Sequence, residues 1–169
     1  MLRQLHECLW YLTEALDLPV GALHEVGTLH EEVRTALAHV AQLTAGSPDE
    51  LTILDVAAER RAVGDLLARV SDAVRGAGPD LRNADLMGRH LRRRDLRRAS
   101  LRGAYLIGAD LRGMDLGTAD LLGADLRAAD VRGADLSRCL FLTQPQVTAA
   151  RGDTSTRLPV AVSTPAHWR

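Results

Sequence analysis

The chain has 169 residues, a formal net charge of −1 and 46% hydrophobic residues, with aromatics at only 3%. That balance suits one or two small domains with an aliphatic, finely divided core. No apolar run reaches the roughly 18 residues of a membrane-spanning helix, and Cys8 and Cys139 lie far apart without metal-ligand spacing.

Charge divides the chain more sharply than its total suggests. Residues 1–76 carry 12 acids against 6 arginines, a net −6, whereas 79–143 carry 9 Asp against 12 Arg, a net +3. The tail, 144–169, adds a net +2. Between the acidic front and the basic back runs RGAGPD, Arg75 to Asp80, rich in turn residues, and a domain boundary is placed there.

The front reads as helices. The opening stretch MLRQLHECLWYLTEALD has acids within its apolar run and no small-residue cleavage site, so it is not a signal peptide, and a reduced cytoplasmic protein is expected. Leu2, Leu5, Leu9, Leu12 and Leu16 fall at helical spacing. Leu23, Val26, Val33, Leu37 and Val40 mark a second stripe, ended by AGSPDE. Ser47 then reads as an N-cap with Pro48 first in a third helix and Glu50 as the capping-box partner, followed by Val56, Val63, Leu67, Val70 and Val74. Such helices make a small bundle or a hairpin with an extra arm; the alternative is an oligomerising coiled coil.

From Leu81 an apolar centre recurs every fifth residue through Phe141, thirteen times without a break. Asp precedes nine of the thirteen centres, and the residue before that is most often Ala. A period of five fits neither a helix nor a single strand and signals a repeat architecture. Alternation turns the centre and the small residue inward and the Asp outward, where its carboxylate can accept turn N–H groups. Turn support is the favoured reading of the Asp rows, over an acidic, nucleic-acid-like surface.

These units resemble the pentapeptide-repeat family, whose consensus is A(D/N)LXX. The resemblance covers about residues 79–143 and implies a right-handed, four-sided β-helix with residues 20 apart stacked on one face. The fold expected is therefore α+β by content: an α-helical bundle over 1–76, a short right-handed parallel β-helix (β-solenoid) over 79–143, and a C-terminal capping helix and extended tail over 144–169. Two units depart from the pattern, because Arg89 and Arg94 occupy the small inward position. A guanidinium is costly to bury unpaired, so these side chains are expected to leave the axis at the open end of the first turn. The third helix carries Asp55, Glu59, Asp65 and Asp72, and it is expected to cap the coil with Arg89 or Arg94 meeting one of them as an inter-domain joint.

Beyond Phe141, TQPQVTAARGD suggests a short helix capped by Thr143 and ended by Gly152, covering the last turn. Leu158, Val160 and Val162 alternate beside Pro159 and Pro165, an edge or loop, and Trp168 is expected to fold back. The resemblance implies that such C-terminal elements can form a dimer interface.

No catalytic constellation emerges. His24 and His30 are six apart and fall on different helix faces, and no glycine-rich phosphate loop follows a strand. An axis filled by Leu and Ala leaves no substrate cavity. The expectation is a non-enzyme with no cofactor: a protein–protein interaction scaffold. Candidate contacts are an outward arginine column, Arg92, Arg112 and Arg132, which suits an acidic partner unless Asp110 and Asp130 neutralise it, and an outward apolar set, Met87, Tyr105 and Ile107. Self-association through the tail or the N-terminal helices is a further expectation. The family resemblance also implies a DNA-mimicking modulator of gyrase or topoisomerase IV; the short basic coil speaks against that activity. The lack of aromatic stacking residues beside the arginine column speaks against single-stranded nucleic acid, and nucleic acid is not expected as a partner.

Overall fold

The computed structural model describes residues 2–18 and 24–169, without the side chains of 24–26 and Pro48. They fall into two compact units, Met1–Val74 and Arg75–Arg169.

In the first unit α1 (Leu2–Asp17) packs on α2 (His24–Thr44), and α4 (Val56–Arg75) completes an N-terminal helical bundle, with the short α3 (Pro48–Ile53) between α2 and α4 in the chain. The buried face of α1 is Leu5, Cys8, Leu12 and Ala15, with Tyr11 beside it. Leu9 and Leu16 are half-buried flanks and Leu2 is exposed, so the leucine stripe lies slightly rotated from the packed face. On α2 the buried residues include Leu29, Val33 and Val40; the expected Leu23, and the side chains of His24 and Val26, lie outside the described residues. Val56, Val63, Leu66, Leu67 and Val70 form the buried stripe of α4. Across the surface, Glu32 pairs with Arg69 through two hydrogen bonds and His39 with Glu59 at 3.1 Å, tying α2 to α4.

The helix expected from Ser47 onward is two helices. The capping box holds, with the Ser47 N–H donating to Glu50 Oε2 at 2.7 Å. The segment then breaks at an extended Leu54, and Asp55 starts α4 by accepting the Ala58 N–H at 3.0 Å. An Asp at that place offers a new N-terminus a side-chain acceptor, which outweighs continuing the helix.

In the second unit the chain pairs with itself in parallel at a register of 20. Bridges join Asp80 to Ser100 to Asp120 to Leu140, Asp85 to Tyr105 to Asp125, and His90 to Asp110 to Asp130. Within each unit the N–H of the small residue donates to the carbonyl of the preceding centre, as Ala104 to Leu101 at 3.0 Å, closing a turn. One turn per five residues, with a bond to the next coil from most centres such as Leu106 to Asp125 at 2.9 Å, explains the period. Nine corners adopt a left-handed conformation two residues after a centre; Gly fills six of them, Asn83, Arg98 and Ala128 the others. Leu86 through Leu136 are buried at every centre, and Ala99 through Ala134 fill the gaps beside them, with Met114 the large exception. Each buried leucine contributes about 1.5–3 kcal/mol.

After Phe141 the short helix α5 (Gln144–Ala149) ends at an extended Ala150, two residues before the expected Gly152. The backbone then rejoins the coil: Arg151 bridges Asp130 and Arg157 bridges Asp135, at offsets lengthened by the intervening helix. The RGD triplet is thus part of this last coil rather than a helix stop. Val160 is fully exposed while Val162 is buried, because Val162 N–H closes a turn on Pro159 O at 3.0 Å in place of the expected extended alternation. Trp168 is buried and its Nε1–H donates to Ala150 O at 3.2 Å. It lies so close over Gly152 that a Cβ there would meet its ring at 2.4 Å.

Candidate interaction surface

The outward faces of the coil are built by its aspartates. All nine accept the N–H two residues ahead, from Arg82 at 3.2 Å on Asp80 to Ser137 at 3.0 Å on Asp135. Where that residue is arginine, the guanidinium folds back on the same carboxylate. Arg82, Arg97, Arg112, Arg127 and Arg132 all do so, with Nη2 to oxygen distances of 2.6–2.9 Å. These bonds hold Asp80 and Asp95 down to about 2 and Asp110, Asp125 and Asp130 well below the usual carboxylate range. Their negative charge therefore stands beside a fixed positive one.

This settles the state of the arginine column. Arg112 grips Asp110 and reaches Asp130 at 3.6 Å, and Arg132 grips Asp130. The column is self-neutralised at those two levels. Arg92 differs, because His90 stands where its Asp would be; its Nε–H donates to the Arg112 carbonyl at 3.2 Å.

Beside Arg92 the surface opens into a cleft of about 370 Å³ with Arg93, Arg94 and Arg97 on its walls and Met114 among the lining residues. Asp95 and Asp115 also line it, the first held by Arg97 and the second 3.7 Å from Arg138. No carboxylate among the described residues stands within ion-pairing distance of Arg92, Arg93 or Arg94, and all three are exposed. Arg93 was not singled out by sequence reasoning, although the signal was present: RHLRRRDLRR places six arginines between Arg89 and Arg98.

Residues 80–121 and 104–141 match a family described as "Pentapeptide repeats", in eight copies. The chain belongs to the pentapeptide repeat family. A protein of Bacillus subtilis (strain 168), named "Uncharacterized protein YybG", is 53% identical over 176 aligned positions. That alignment takes in all of this chain and 61% of the relative, so the chain spans less than two thirds of its length. Rfr23, a pentapeptide repeat protein of the cyanobacterium Cyanothece 51142, is 30% identical over 53% of this chain and 50% of its own, with a TM-score of 0.28. A pentapeptide repeat protein from the Arabidopsis thaliana thylakoid lumen is 33% identical over 52% of this chain and 59% of its own, with a TM-score of 0.24.

The remaining candidates fall around the pentapeptide coil. Met87 and Tyr105 are each half exposed and Ile107 is partly covered. Arg89 and Arg94 are both exposed, since solvation holds a guanidinium out of an aliphatic axis. The buried arginine is Arg75, whose Nη1 donates to Arg98 O at 2.5 Å. Gly78 sits against that same carbonyl, where a Cβ would approach to 2.1 Å. Asp120 is wholly buried, its Oδ2 3.5 Å from Arg102 Nη1 and its Oδ1 accepting the Leu122 N–H at 2.9 Å. Nothing in the regular sequence of that unit distinguishes it from its exposed counterparts. Both cysteines are buried free thiols, and burial pushes each thiol's pKa up. Among the described residues, no helix is long and apolar enough to cross a membrane.

Proposed function

We propose that the chain is a non-catalytic protein–protein interaction scaffold, in which the pentapeptide repeats present a fixed surface and the helical unit recruits or self-associates. The observation that carries this reading is the division of labour along the coil. Inward positions are filled by Leu and Ala, while outward side chains are locked by backbone and guanidinium bonds at fixed spacing. Side chains immobilised before contact lose less entropy on association, which favours recognition by a rigid face. The register of 20, with four units per coil, supports the finer reading of a right-handed four-sided β-helix. Two free, inert thiols fit a reducing compartment.

Isolation of the full chain from a native lysate with chemical crosslinking, followed by mass spectrometry and light scattering, tests the proposal. A stoichiometric partner or a defined oligomer, through the tail or the helices, is expected. A monomer that crosslinks to nothing in particular overturns it. The DNA-mimic alternative requires accessible unpaired carboxylates, and five of the nine repeat aspartates are instead gripped by arginine. A gyrase supercoiling assay that is unaffected by micromolar protein is the result this reading expects.

A further inference from the structure

We propose that the cleft at Arg92, Arg93 and Arg94 is a docking site for a short run of carboxylates on a partner protein. This rests on the scaffold reading and deepens it. Elsewhere on the coil, wherever Asp stands two residues before an arginine, the guanidinium folds onto that Asp. At this place the pattern is broken in three ways at once. His90 replaces the Asp that would hold Arg92, Arg93 stands at a corner where Gly is the usual residue, and Arg94 replaces the inward Ala. The first departure removes a counter-ion and the other two each add a cation, and the side chains of Arg92, Arg93 and Arg94 line one open cleft. Maintaining three like charges together without counter-ions costs stability, so the arrangement fits a ligand that supplies the missing anions.

The surroundings select the ligand. Guanidinium groups bind carboxylates through paired hydrogen bonds, and the cleft of about 370 Å³ has room for a few side chains of an extended segment. A duplex carries one charge per roughly 1.7 Å and would continue past the cleft. There it would run onto Asp110 and Asp130, whose charges are already compensated by Arg112 and Arg132. None of the residues lining the cleft is aromatic, so a single strand finds no stacking platform. A compact acidic segment can reach Arg92, Arg93 and Arg94, while the two carboxylates that share the cleft are engaged by other arginines, Asp95 by Arg97 and Asp115 by Arg138.

Titration of fluorescein-labelled hexaglutamate into the full chain, read by anisotropy, tests this. Saturable binding is expected, weakened at least tenfold in R92S/R93S/R94S, about 1.4 kcal/mol or more. R127S, which removes an arginine already paired with Asp125, should leave it within about twofold, since exposed pairs contribute little. Raising salt from about 20 to 200 mM should weaken binding at least fivefold, because exposed charges are screened. If the triple variant does not fold, single R93S and R94S carry the test, each expected to weaken binding about threefold or more, given their exposure. Absent binding, or equal binding by the folded triple variant, overturns the proposal. So does tighter binding of a duplex oligonucleotide than of the peptide, or displacement of the peptide by equimolar inorganic phosphate. A triple variant that loses the peptide yet recovers the same lysate partner as the parent leaves the scaffold reading standing and removes the cleft from it.

Discussion

Replacing Gln146 by Ala tests how the coil is closed at its C-terminal end. The Gln146 Oε1 accepts the Thr143 N–H and hydroxyl, both at 2.8 Å, which starts α5. Its Nε2 donates to Leu121 O at 2.8 Å and Ala124 O at 2.9 Å, which fastens α5 to the coil. One partly buried side chain thus makes four bonds. Each is worth about 0.5–1.5 kcal/mol net and they are coupled, so Gln146→Ala should cost about 2–4 kcal/mol. Gln144→Ala is the internal control. That exposed residue also makes two backbone bonds, both to Ser163, and its loss should cost about 1 kcal/mol or less. Urea unfolding followed by Trp168 fluorescence in a Trp10→Phe background reads the cap directly, because 10 and 168 are the two tryptophan positions. A Gln146→Ala midpoint indistinguishable from that of Gln144→Ala, at an unchanged slope, would show that α5 is held by packing alone.

Leu111→Ala, at a centre with no solvent exposure, should lose about 3–5 kcal/mol by calorimetry, the cavity being flanked by coils that cannot collapse into it. Ala128→Gly should raise the melting temperature slightly: relief of a left-handed alanine at φ 55° recovers about 1–2 kcal/mol, and part is lost to the freer unfolded chain. The repeat aspartates have folded pKa values lowered by their arginine and backbone bonds, so their contribution is present above the ordinary carboxylate pKa and lost as pH falls. Melting temperature should be level above pH about 5 and drop between about 4 and 2, the window set by Asp80 and Asp95.

The coil was legible because a five-residue period is repeated without interruption, and each unit makes the same turn. Turn support by Asp was equally legible, since carboxylate, spacing and turn specify one another. The continuation of the coil through Arg151 and Arg157 was hidden by α5, which breaks the period before the chain regains register. The division of the third helix at Leu54 hinged on Asp55 serving as a cap in a stretch rich in helix-forming residues. At the candidate site, the arginine column was readable as residues but not as charges: only side-chain geometry separates Arg112, held by Asp110, from Arg92, which is not. Burial of Asp120 and Arg75 depends on what lies beside them in space, which neither the period of the repeat nor the stripe of α4 encodes.

The register of 20 makes the length of this coil change only in steps. Duplicating a 20-residue segment within 81–141 would return every later residue to its original side and leave Gln146 beneath the same two carbonyl positions of the coil above. Inserting a single pentapeptide would satisfy every local turn, yet carry α5 and Trp168 a quarter of the way round and away from the groups they close upon. Growth or loss by whole coils is thus structurally silent at the terminal cap, whereas a smaller insertion acts on a residue tens of positions away.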